Sequence, residues 1–190
     1  MLKNTAHSYG SLTKWLHWGI VVLVLLMFLS GYFDLLPMNI HKLMGLSILA
    51  LMIVRIIWRL CNPTPELPPH VTRFERVLSH SVQGLLYLAL LAMPISGWIM
   101  ATAKGYFPYL SHWLLPLPGI PLSHPLGELA ENFHDTLAVI ILVLICLHFV
   151  GAMKHFWIDR DGILQRMLPR CCHQKCGLTQ LQKKLTGDRS

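Results

Sequence analysis

Charged side chains are scarce in this sequence. Only 13% of its 190 residues are Asp, Glu, Lys or Arg, against 54% hydrophobic ones, and a soluble domain carries about twice that share of charge. The deficit excludes a water-soluble helical bundle, which would show a polar stripe along every helix. No internal repeat or low-complexity segment is present. Five cysteines do not make a disulfide framework: Cys61 falls near a helix end, Cys146 inside an apolar run, and the rest in the C-terminal tail. That tail holds Cys171, Cys172, His173 and Cys176, a single short cluster without the second paired half of a structural zinc site. A cleavable signal is not expected either, since the first apolar run begins only at Trp15, is long enough to span, and lacks a small-residue cleavage site after it.

What the sequence does have is long uncharged runs, Trp15 to Phe33, Val77 to Ala103 and Thr136 to Met153. Each is about the length that crosses a bilayer. A fourth, Leu43 to Leu60, qualifies if Arg55 and Arg59 lie near its end and reach the headgroups. The expectation is an all-α membrane protein, a bundle of four transmembrane helices over about 15–36, 42–60, 77–103 and 134–155. These spans form one domain over 1–170, followed by a basic tail over 171–190.

Charge placement orients the bundle. With four spans, the N-terminus, the central loop and the tail share one side. They hold Lys3, Lys14, Arg55, Arg59, Arg73, Arg76, Lys154, Arg160, Arg166, Arg170, Lys175, Lys183, Lys184 and Arg189, leaving only Lys42 and Lys104 for the other side. Lys and Arg are retained inside, so both termini are expected in the cytoplasm. The basic tail is read as topology and attraction to anionic membrane lipid, not as a nucleic-acid interface.

Three connections join the spans. Asp34 to His41 is short and makes the first two helices antiparallel neighbours. Asn62 to about Arg76 carries Pro63, Pro65, Pro68 and Pro69 and is expected to run extended. The third, Lys104 to Phe133, is apolar but broken by Pro108, Pro116, Pro118, Pro121 and Pro125, with Tyr106, Phe107, Tyr109 and Trp113 among them. It is expected to lie on the outer membrane surface, as a lid over a ligand or as an interfacial loop. Inside the third span, Pro94 and Gly97 should bend the helix or admit a close neighbour.

Imidazole in hydrocarbon is costly unless paired or liganded. His17 opens the first span and His41 the second, while the last span carries His134 at its start and His148 fourteen residues on. Fourteen helical residues rise about 21 Å and complete nearly four turns, so His134 and His148 share a face at two depths. Depth pairs His17 with His148 toward the cytoplasm and His41 with His134 toward the outside. Two isolated histidines per level fall short of zinc's four ligands, whereas haem brings four nitrogens of its own. Bis-histidine ligation leaves iron no vacant position and suits electron transfer. An ion or proton relay is the other use of such histidines, and single interfacial anchors the plainest.

Arg55 and Arg59 lie one turn apart near the inner level, as partners for haem propionates or as positive-inside anchors. Gly31, Gly45 and Gly84 would let a flat macrocycle approach, or simply let helices pack. His80 is a second choice for the inner level or for a quinone or propionate. His7, His70, His112, His124, His155 and His173 read as solvated.

The order and spacing of several pieces then resemble the bacterial cytochrome b561 family, relatives of the b-type subunits of nickel-iron hydrogenases. The pieces are His17-Trp18 after a short polar arm, His41 before Gly45, Arg55-Ile-Ile-Trp-Arg59 leading to Pro63-Thr-Pro65, and His80 through Tyr87 to Pro94 and Gly97. His134 with Asp135, and His148 followed by Met167-Leu-Pro-Arg170, complete them. The resemblance implies two haems b ligated by His17, His41, His134 and His148 in a bacterial inner-membrane bundle. It also implies an oxidoreductase of the superoxide:ubiquinone type, oxidising superoxide outside and reducing ubiquinone in the membrane. A relay cytochrome serving a partner dehydrogenase or hydrogenase is the alternative. Lys42 and Lys104 would attract superoxide, against Asp34, Glu128, Glu131 and Asp135 on the same side.

Overall fold

The computed structural model describes residues 3–5, 8–33, 35–65, 68, 71–110 and 113–168. Four long helices dominate it: α1 (Ser11–Phe33), α2 (Met38–Leu60), α3 (Arg73–Ala103) and α4 (His124–Lys154). All four are long and apolar enough to cross a membrane. Their large exposed side chains, such as Val22, Leu25, Leu88, Val143 and Val150, are what lipid-facing surfaces require. The expected Asp34, His7, His70 and His112, and the tail with Cys171, Cys172, His173 and Cys176, lie outside the described residues.

Each helix begins earlier than the apolar runs suggest. For α3 the reason is a capping box: the Thr72 hydroxyl accepts from the Glu75 amide and the Glu75 carboxylate accepts from the Thr72 amide, satisfying two donors a bare terminus leaves open. In α2, Pro37 precedes the first turn and its carbonyl accepts from the amides of Ile40 and His41, so His41 sits within the helix. The largest correction concerns α4, which starts at His124, not near residue 134. Pro125 occupies its first turn, where a missing N–H costs nothing and the fixed φ suits a helix. The third connection is correspondingly shorter, Lys104 to Ser123.

That connection is pinned to the bundle. A two-residue antiparallel ladder, β1 (Tyr109–Leu110) with β2 (Trp113–Leu114), folds it back. Asn39 bonds both backbone groups of Tyr109 at 3.0 Å. The Trp98 indole donates to the Leu115 carbonyl at 2.8 Å, and the Leu117 amide donates to the Thr102 hydroxyl at 2.9 Å.

In the bundle centre Val82, Ala89, Leu137, Ile141 and Leu144 form one buried cluster, and Ile20, Val24, Ile48 and Met52 form another. Phe28, Leu90 and Ile145 touch both, so the core is continuous from α1 to α4. Beyond α4 the helix widens into a π-helical turn, His155–Asp159, and Arg160 and Gly162 take left-handed φ of 52° and 75°. This reversal delivers a short α5 (Ile163–Met167) back to the start of α1. There the Lys14 ammonium donates to the Leu168 carbonyl and the Trp18 indole to that of Met167. The two ends of the described chain therefore lie at the same end of the bundle. Cys61 and Cys146 are free thiols.

Candidate functional site

The inward face of α4 is marked by Leu137, Ile141 and Leu144, all buried. His134 stands before this stripe and His148 after it, each half-buried, as helical spacing of three and four residues requires. The two imidazoles look into the bundle at opposite ends of its core.

At the end away from the chain termini, His134 and His41 line one cavity of about 650 Å³, within the range typical of ligand pockets. Its walls are mostly apolar, and Pro108 from the connection helps to close it. Gly31, Gly45 and Gly97 contribute backbone to the wall. A Cβ on Gly97 would stand 2.9 Å from His134 Cε1, so glycine there admits the imidazole.

Nδ1 of His134 lies 3.1 Å from the Met93 carbonyl and 3.1 Å from the Ser96 hydroxyl. A carbonyl only accepts, so Nδ1 carries the proton and Nε2 keeps a lone pair. Ligating histidines are commonly fixed in this way. Nδ1 of His41 is held by the Ser30 hydroxyl at 3.3 Å, which leaves its Nε2 uncommitted to that contact. Two imidazoles on an apolar, glycine-walled cavity fit a flat cofactor with a central metal.

At the other end, the rings of His17 and His148 have centres 6.3 Å apart and planes at 77°. Metal–imidazole bonds of about 2 Å put a ring centre about 3 Å from the metal. Two rings flanking one iron would thus have the spacing seen here. The Arg55 Nη1 donates to His17 Nδ1 at 2.9 Å, and its Nε donates to the Tyr87 hydroxyl at 3.0 Å. Guanidinium only donates, so His17 Nδ1 is the acceptor and a neutral ring carries its proton on Nε2. Ligation of a neutral ring through Nε2 requires that proton to move to Nδ1, and Arg55 to turn to another acceptor such as a propionate. Arg59 lies over the opposite partner of this group, 5.3 Å from the centre of the Tyr87 ring.

Other expected residues fall elsewhere. His80 is exposed, with Nδ1 on the Arg76 carbonyl of its own helix at 2.6 Å. His124 is exposed and pairs with Glu128 at 3.4 Å. His155 is not solvated as expected: its side chain is 16% exposed and bonds Asp161 at 2.7 Å. The π-helical turn makes that contact by bringing the Asp161 carboxylate back. A Cβ on Gly84 would meet nothing within 4 Å. Lys104 is engaged by Glu131 at 2.6 Å, whereas Lys42 donates to the Tyr106 carbonyl at 2.8 Å. Tyr87, Ser30, Ser96 and the Met93 carbonyl were not singled out as site groups by sequence reasoning. Only Tyr87 carried a signal, on a face shared with core residues opposite two arginines.

A membrane bundle with histidines at two depths defines the class, and comparison with known proteins supplies the family. A model described as prokaryotic cytochrome b561 matches residues 8–170, and the chain belongs to that family. It is 29% identical over 176 residues to cytochrome b561 homolog 2 of Escherichia coli K12, covering 87% of this chain and 93% of that protein. It is 28% identical over 172 residues to a protein of Yersinia pestis named probable superoxide oxidase CybB, covering 86% and 97%. A cytochrome b562 of Cereibacter sphaeroides is 29% identical over 175 residues, covering 85% and 95%. The chain is thus a multi-pass inner-membrane b-type cytochrome, a class that implies haem b and works in electron transfer.

Proposed function

We propose that the chain carries single electrons across the membrane between two haems b, one held by His41 and His134 and the other by His17 and His148. The observation that carries this reading is the recurrence of a histidine pair at both ends of one continuous core. Haem, when bound, supplies reversible one-electron chemistry. The protein's own part is to fix the ligands and exclude water. Ser30, Ser96 and the Met93 carbonyl orient the imidazoles of the cavity end, while Ala89, Ile141 and Leu144 fill the space between levels. Arg55 and Arg59 would take the propionates at the terminal end.

With the basic segments inside, both termini are cytoplasmic and the cavity faces the periplasm. We read the electron donor there as superoxide and the acceptor as ubiquinone in the membrane, in keeping with the name of the Yersinia relative. Lys42 lines the cavity and, among the described residues, no carboxylate pairs with it. It is the cation best placed to attract an anion. The relay reading, in which a partner dehydrogenase or hydrogenase is the donor, predicts a stable complex instead.

The test is the visible spectrum of the detergent-purified protein during a pulse of superoxide, with dithionite as the full-reduction reference. Rapid haem reduction that superoxide dismutase abolishes supports the oxidase. Haem that answers only to dithionite contradicts it and favours the relay.

A further inference from the structure

Charge is unevenly placed along the bundle axis. At the terminal end, the Arg55 guanidinium bridges His17 and Tyr87, and Arg55 and Arg59 both lie over the Tyr87 ring, at 5.5 and 5.3 Å from its centre. Among the described residues no carboxylate lies within ion-pair distance of either arginine. The acids nearest this end are engaged elsewhere: Glu75 and Asp159 with Lys154, and Asp161 with His155. At the cavity end the balance differs. Lys42 faces a cavity lined also by Glu131 and Asp135, and Lys104 is bound to Glu131, so two cations meet two carboxylates.

We infer that Arg55 and Arg59 bias the electron between the two levels, making the His17–His148 level a more favourable place for it than the His41–His134 level. The inference rests on the two-haem reading above. With both haems bound, an electron passing from the cavity level to the terminal level would oxidise the first haem and reduce the second, with no atom transferred. Positive charge stabilises the reduced site directly. If the arginines also bind propionates, they cancel negative charge that would favour the oxidised iron, so the sign is unchanged. At an effective dielectric of about 20, a unit charge about 12 Å away changes such an equilibrium about tenfold. Tyr87 is well suited to this arrangement, because its ring face and hydroxyl together hold two like charges close that would otherwise repel.

The experiment is a spectroelectrochemical titration of the full chain in detergent, for the wild type, Arg59→Gln and Arg59→Lys. Each is measured also in a His41→Ala background, which leaves the terminal-level haem alone. The expected result is a higher potential for the terminal-level haem in the wild type. Arg59→Gln should lower its reduced-to-oxidised ratio at a fixed potential about tenfold, leave the cavity-level haem unmoved, and be largely reversed in Arg59→Lys. Full haem content with potentials indifferent to Arg59→Gln, or a cavity-level haem of higher potential, would overturn the inference while sparing the haem reading. A wild-type protein without a terminal-level haem would overturn both.

Discussion

His134 reaches its place because Gly97 has no side chain: a Cβ built there would stand 2.9 Å from the imidazole's Cε1 and 3.2 Å from Nδ1. The contact joins α4 to α3 just after Pro94, where Met93 and Ser96 hold Nδ1 at 3.1 Å each. Small residues commonly let membrane helices approach in this way. Gly97→Val should therefore push His134 off its partners and strip the cavity-level haem, while the terminal-level haem is retained. Gly19→Ala, where an added Cβ meets nothing within 4 Å, should change neither. Haem absorbance per mole of purified protein decides the matter.

Much of this was legible in the sequence. Three uncharged runs and a fourth carrying Arg55 and Arg59 near its end marked four helices, and the fourteen-residue interval put His134 and His148 on one face, because helical periodicity is local. Helix starts were less legible. The Thr72-x-x-Glu75 box was written in the sequence but lay outside the apolar run. Pro125 reads as a breaker among the prolines of the third connection, although in a first turn it starts a helix. His155 was misplaced for a different reason: its bond to Asp161 depends on a π-helical turn and a left-handed Arg160, backbone departures that no side-chain pattern announces. The Met93 carbonyl, likewise, is a partner without a residue-type signature.

Thr72→Ala removes the hydroxyl that accepts from the Glu75 amide and with it half of the capping box. The cost should be about 1 kcal/mol, seen as a lower thermal midpoint in detergent with the wild-type haem spectrum intact. A midpoint equal to that of the wild type would show that the start of α3 is held by other contacts.

The bond from His155 to the Asp161 carboxylate closes the turn that returns α5 to α1, and the Asp161 side chain is 1% exposed. Asp161→Asn should weaken that closure by about 1–3 kcal/mol. Because Lys14 and Trp18 bond the carbonyls of Leu168 and Met167, amide hydrogen exchange should rise in α5 and at the start of α1 together. Faster exchange in α5 alone would show that the two segments open independently.

Lys42 and Lys104 should behave differently under superoxide. Lys42→Gln removes a cavity-lining cation and should slow haem reduction, on the order of threefold at low salt, with the difference shrinking as salt screens the field. Lys104→Gln strands the Glu131 carboxylate, and the double variant with Glu131→Gln should recover most of the rate. Stopped-flow absorbance at several ionic strengths measures this; a Lys42→Gln rate equal to wild type would remove that side chain from the substrate path.

The central claim is that four histidines make two sites. Its most direct measurement is the haem-to-protein ratio of the purified chain, by haem extraction and protein quantitation, for the wild type, His41→Ala and His148→Ala. The account predicts two haems b per chain in the wild type and one in each variant, with the cavity-level haem lost in the first and the terminal-level haem in the second. A wild-type ratio of one, or variants that keep both haems, would contradict it.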